Sequence, residues 1–190
     1  MNTYPIHTIE SAPEGARQSL EFLQKAFGMV PNLAATMAGS PSLVNSFVAA
    51  QGQFGGDTFT GGERQVLLLT NAVANECSWA VAFHSAMALK QGVAAAEVDA
   101  IRERRLPSDP RLAVLSSTTR RLIDSRGHLD EDAVDAFLAA GFDRAQLFEV
   151  ITGVAISTMA NYAGNVARPP LDEAFRAHAW EATTSAATAT

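Results

Sequence analysis

Asn75-Glu76-Cys77-Ser78-Trp79-Ala80-Val81-Ala82-Phe83-His84 is the stretch on which the reading of this chain turns. It holds the only cysteine and one of four histidines. Seven positions separate them, two helical turns, so Cys77 and His84 project from nearly the same face of one helix. Ala80 lies on that face as well, one turn before His84, and leaves a small gap between thiol and imidazole. At a helix start, unpaired N–H groups and the dipole favour a thiolate at Cys77. A lone cysteine is equally a common packing residue, and a histidine on an apolar helix is more often a satisfied core residue than a catalyst. Helical side chains lean toward the N-terminus, so the His84 ring extends over Ala80. Seven residues rise roughly 10 Å, too far for a direct hydrogen bond, and a water or small substrate would have to bridge the two groups.

Outward from this segment the chain reads as helix after helix. Pro13 suits a first-turn position before an amphipathic run from 14 to 27 that stops at Gly28. A short segment covers 32 to 37, and Ser40-Pro41 opens a helix through Ala50, before a loop with Gly52, Gly55 and Gly56. Thr60 with Glu63 has the capping-box spacing ahead of an apolar helix from 61 to 75. Further helices are expected over 77–90, 95–104, 109–126, 130–140 and 143–166, the last stopped by Pro169-Pro170. No stretch alternates apolar and polar residues as a half-buried strand would. The fold class is all-α. The helices at 61–75 and 143–166 are apolar over most of their circumference, which places them at the centre of a bundle or against a second subunit. Residues 1–175 form one domain, with 176–190 expected as a flexible tail.

Hydrophobic residues make up 47% and charged ones 18%, a balance that suits a packed core and excludes disorder. The net charge of −6 argues against nucleic acid as a partner. The one basic cluster, Arg102-Glu103-Arg104-Arg105, is expected to cap a helix C-terminus. A single cysteine forms no internal disulfide, and neither a signal-type leader nor a membrane span is evident, so a cytoplasmic location is expected. His7, His128 and His178 show no metal-ligand spacing, and no Gly-rich phosphate cradle is present, so neither metal nor cofactor is expected.

The order Asn75-Glu76-Cys77-Ser78-Trp79-Ala80-Val81-Ala82-Phe83-His84-Ser85 resembles the signature of the AhpD-like, or carboxymuconolactone decarboxylase-like, superfamily. So do Glu63-Arg64-Gln65 upstream, and Ala139-Ala140-Gly141-Phe142, Glu149-Val150 and the closing run from Met159 to Asp172 downstream. Together they span most of residues 60–175. The resemblance implies an AhpD-like helical bundle that assembles into homo-oligomers. Its peroxidase members use a Cys-x-x-Cys pair, a histidine four residues later and a glutamate on the preceding helix. Carried over by position, the resolving cysteine is Cys77 and the relay histidine is His84. The attacking cysteine falls on Ala80, and the relay glutamate on Gln65, an amide that takes no proton. Glu63 is two positions away, turned to another face, and is better read as the cap partner of Thr60. The two-cysteine peroxidase cycle is therefore expected to be absent.

The leading expectation is a thiol oxidoreductase variant of the alkylhydroperoxidase, or peroxiredoxin-like, type. In it Cys77 is oxidised by a hydroperoxide and reduced by an external thiol, with His84 and Gln65 ordering a water. A second is a decarboxylase-type enzyme, with His84 as general acid/base on a small organic acid, Gln65 as its partner and space over Ala80 for the substrate. A third is a helical binding protein without turnover. Trp79 reads as packing at the pocket wall. Thr158, Asn161 and Tyr162 interrupt an apolar helix and are candidates to line a pocket.

Overall fold

The structure is a computed structural model that describes residues 4–56 and 58–182. Nine α-helices and one 3-10 turn, without a strand, account for the regular structure of these residues: α1 Glu14–Phe27, α2 Asn32–Met37, α3 Pro41–Phe54, α4 Gly61–Ala74, α5 Ser78–Lys90, α6 Ala95–Arg102, α7 Pro110–Asp124, α8 Glu131–Ala139, α9 Arg144–Ala167, and the turn Glu173–His178. Among the described residues no helix is long and apolar enough to cross a membrane.

Helix starts follow their caps. Ser40 accepts from the Leu43 amide, Asp109 from those of Arg111 and Leu112, and Asp130 from that of Ala133. Thr60/Glu63 and Asp143/Gln146 both close full capping boxes, each satisfying amides that the helix leaves without partners. Pro13 is the N-cap residue of α1 and lies just outside the helix. Gly52, expected in a loop, lies within α3, whose last turn continues to Phe54.

Helix α4 is the centre of the bundle. Every residue from Val66 to Val73 is buried, because α5, α6, α7 and α9 surround it. Leu67 and Leu69 are fully enclosed, and each such side chain contributes about 2 kcal/mol of hydrophobic stabilisation. Helix α9 packs along α4. Toward its middle, Gly153 leaves room for Leu67 and Phe54. Near its end, Asn165 Nδ2 donates to the Asn75 carbonyl at 2.7 Å. Unlike α4, α9 keeps an apolar face outside: Phe148, Ile151, Tyr162 and Val166 are all exposed.

The chain beyond 175 departs from the expected loose tail. Phe175 is buried against Trp79 and Phe83. Arg102 donates to Ser85 Oγ and to the carbonyls of His178 and Ala179, each at 2.9 Å. The Trp180 indole donates back to the Arg102 carbonyl. The basic cluster lies at the C-terminal end of α6, with Arg102 in its last turn as expected; Arg102 also staples the C-terminal segment to α5 and α6, and Arg104 pairs with Glu76 at 2.6 Å. Residues 183–190 of the expected tail lie outside the described residues.

Candidate active site

The turn between α4 and α5 is three residues long, and its middle residue, Glu76, sits in the left-handed region at φ 54°. That conformation is strained for a residue with a Cβ. It is held by the Cys77 amide donating to the Ala72 carbonyl at 3.0 Å and by the Arg104 ion pair. The sharp reversal lays α5 against α4 and makes Cys77 the N-cap residue of α5.

The two helices meet at Gln65 and His84, where Nδ1 of the imidazole lies 2.9 Å from Oε1 of the amide. An amide oxygen only accepts, so Nδ1 carries the proton and Nε2 keeps its lone pair. His84 is buried, with the Phe83 ring edge-on at 5.0 Å between centroids. Phe83 in turn stacks on Trp79 and packs against Phe27 and Phe175. Loss of solvent pushes the imidazole pKa down to about 3. The imidazolium is therefore disfavoured by on the order of 5 kcal/mol relative to water, and His84 is a neutral donor–acceptor pair.

Cys77 shares none of these partners. Its sulfur fits against α9 at Gly164, where a Cβ would lie 2.8 Å from Sγ and 3.4 Å from Leu33 Cδ1. The thiol is 1% exposed. Burial raises its pKa, and the Ala80 and Trp79 amides facing the sulfur oppose that shift without overcoming it. The thiolate expected from the helix start is disfavoured because the same packing that places Cys77 there also removes water.

The remaining predicted positions separate. Ala80 is 1% exposed and part of the core, not the floor of an open hollow. Two surface clefts lie elsewhere. One of about 400 Å³ is edged by Thr60, Glu63, Gln91, Glu97 and Asp109; the other, about 550 Å³, is edged by Asp99, Arg102 and Trp180. Asn161 points inward, with its Nδ2 buried and without a protein partner, as is Ser157 Oγ one turn earlier. Tyr162, expected beside it in a pocket, is 57% exposed on the outer face of α9, since one helical residue turns the side chain by 100°. Thr158 bonds back to the Val154 carbonyl. Glu63 closes its cap with Thr60 and pairs with Arg111 at 2.6 Å. Burial would raise its pKa, but the Thr60 amide and Arg111 outweigh it and hold the carboxylate low.

Trp79 has a role that the sequence reading missed. Its indole donates to Asp172 Oδ2 at 2.9 Å. The same carboxylate accepts from the Asn32 amide at 3.1 and 3.2 Å, tying α5 to the start of α2. Burial raises the Asp172 pKa although these donors oppose it. A buried indole N–H needs an acceptor, but nothing local in the sequence indicates one 93 positions away. Among the described residues no cluster of His, Cys, Asp and Glu suits a metal ion.

Residues 41–109, which carry α3 to α6 and the His84–Gln65 pair, match the Carboxymuconolactone decarboxylase family. The match supports a likeness to the carboxymuconolactone decarboxylase-like, or AhpD-like, superfamily over that part of the chain. Solved structures share the fold at low identity. A peroxidase-related protein with an alkylhydroperoxidase AhpD core from Ralstonia eutropha JMP134 superposes with a TM-score of 0.80 at 20% identity, over 90% of this chain and 93% of that one. A peroxidase-related protein from Silicibacter sp. TM1040 gives 0.76 at 17%, over 91% and 92%. The debrominase Bmp8, as a cysteine-to-alanine variant in complex with 2,3,4-tribromopyrrole, gives 0.76 at 15%, over 94% and 95%. No curated protein matches the chain. The structure brings His84 and Gln65 together, the two positions onto which the resemblance carries a relay histidine and glutamate.

Proposed function

We propose that this protein is a cofactor-free acid/base enzyme acting on a small organic acid, with His84 as the proton-transfer group and Gln65 as its orienting partner. The 2.9 Å bond between His84 Nδ1 and Gln65 Oε1 carries the reading. It holds the tautomer whose Nε2 accepts. Because the partner is an amide, nothing in the pair supplies the negative charge that would stabilise an imidazolium. An anionic substrate supplies it: a carboxylate beside Nε2 raises the imidazole pKa, so His84 takes up a proton as the substrate binds. In a decarboxylation the C–C bond breaks, carbon dioxide leaves, and the electron pair stays on the substrate carbon. Imidazolium protonates that carbon and is replenished from solvent. One neighbour of the same fold is a debrominase, so the scaffold is used for more than peroxide chemistry.

The test is turnover of small carboxylates by purified variants. His84→Ala is expected to abolish it while Cys77→Ser retains it, and the reverse pattern would overturn the proposal.

The second reading keeps Cys77 as a peroxidatic thiol, reduced by an external thiol after forming a sulfenic acid. It is favoured by the Trp79 and Ala80 amides at the sulfur. It is weakened by the near-complete burial of that atom. Hydroperoxide consumption that is lost in Cys77→Ser would establish it.

A further inference from the structure

Helices α4 and α9 face each other along two rows in which every fourth residue lies on the shared side. On α4 the row is Leu67, Asn71 and Asn75; on α9 it is Gly153, Ser157, Asn161 and Asn165. The rows touch at both ends. Gly153 gives up its side-chain space to Leu67 and Phe54, and Asn165 Nδ2 donates to the Asn75 carbonyl at 2.7 Å. Between these two contacts lie Asn71 on one helix and Ser157 and Asn161 on the other.

All three are polar, yet Asn71 is 0% exposed, Asn161 1% and Ser157 3%. Asn71 Nδ2 donates to the Leu67 carbonyl of its own helix at 3.0 Å. That bond orients the amide and leaves Oδ1 as the atom turned away from it. Of the four buried side-chain polar atoms without a protein partner among the described residues, three fall in this one stretch: Asn71 Oδ1, Ser157 Oγ and Asn161 Nδ2. Buried polar atoms are as a rule hydrogen-bonded, and a cluster of exceptions marks an occupant.

The donor set decides its chemistry. Asn71 Oδ1 only accepts and Asn161 Nδ2 only donates, so whatever bridges them must both donate and accept. A metal cation would face the Asn161 amide protons, and an anion would face Asn71 Oδ1, with no charged residue in either row to compensate. Leu67 and Phe54 close the seam at Gly153, and Cys77 and Leu33 close it at Gly164. Neither surface cleft is lined by any of these residues, which shuts out a larger hydroxyl compound.

We propose that Asn71, Ser157 and Asn161 form an internal hydration site between α4 and α9. Ordered water there accepts from Asn161 Nδ2 and donates to Asn71 Oδ1, with Ser157 Oγ completing its partners. The site is separate from the His84–Gln65 pair, because Gln65 and Asn71 are six positions apart and point about 120° from each other around α4.

Water-selective NMR on the isotope-labelled full chain tests this. The Asn161 side-chain amide protons are expected to show a cross-peak to water with the sign of a molecule that tumbles with the protein. The peak is expected to persist in Ser157→Ala, which removes the exchangeable hydroxyl proton that imitates such a signal. A crystal structure is expected to place water within about 3.2 Å of both Asn71 Oδ1 and Asn161 Nδ2. Absence of the cross-peak in the wild type, or its loss in Ser157→Ala, would overturn the proposal. So would a direct hydrogen bond from Asn161 Nδ2 to Asn71 Oδ1 with no water between them.

Discussion

The sulfur of Cys77 occupies the space that a side chain at position 164 would need, with only 2.8 Å between Sγ and a Cβ built on Gly164. Two turns of α5 separate this contact from His84, and the two groups serve different neighbours, α9 for one and α4 for the other. The Cys77–His84 segment is therefore split into a packing end and a polar end.

That contact makes Gly164 and Cys77 energetically coupled. Gly164→Ala is expected to lose about 1–3 kcal/mol to overpacking, partly offset by the roughly 1 kcal/mol that alanine gains over glycine in a helix. In a Cys77→Ala background the clash disappears, and the same substitution becomes neutral or stabilising. A double-mutant cycle by urea denaturation measures the coupling. Additive effects would show that the sulfur and the glycine do not compete for space.

Burial should also suppress thiol reactivity. Native protein is expected to react with a disulfide reagent at least about 100-fold more slowly than urea-unfolded protein, because a 1% exposed thiol reacts through transient opening. Equal rates would mean that the Cys77 sulfur is open to solvent.

His84 predicts a pH signature. Its folded pKa of about 3 lies below the ordinary value of 6.5, so between those limits the unfolded chain binds more protons than the folded one. Stability from this group is complete above pH 6.5 and is lost progressively as pH falls toward 3, by up to roughly 5 kcal/mol. A His84→Asn variant should flatten that part of the profile. Gln65→Glu places a carboxylate beside Nδ1, raises the imidazole pKa and shrinks the loss. NMR titration of the ring protons reads this directly, and a wild-type midpoint near 6.5 would contradict it.

The Trp79–Asp172 bond predicts a structural cost. Asp172→Ala strands the indole N–H and the Asn32 amide, and is expected to cost about 1–3 kcal/mol. It should also red-shift tryptophan fluorescence as the segment after 169 loosens. An unchanged denaturation midpoint would show that water replaces the carboxylate without loss.

Most helix boundaries were legible because their causes are local. Thr60 and Glu63 form the anticipated capping box, Ser40-Pro41 opens α3, and Gly28 ends α1 in the left-handed conformation. Cys77 lies at the start of its helix as read. Gly52 was misplaced because one glycine weakens a helix without stopping it. The fate of residues 176–182 was hidden for another reason: Arg102 reaches His178, Ala179 and Trp180 across 76 to 78 positions of sequence, and no local pattern encodes such contacts.

By itself, the sequence determined the all-α class, the helix order and a resemblance to the AhpD-like superfamily with alanine at 80 and glutamine at 65, since each is a matter of residue identity and short-range spacing. Only the tertiary structure decided which groups meet. It set His84 on Gln65, buried Cys77 beneath α9, turned Tyr162 outward and gave Trp79 its carboxylate. The reason is geometric. Helical periodicity states which side chains share a face, whereas burial, protonation and hydrogen-bond partners depend on the helix that packs against that face.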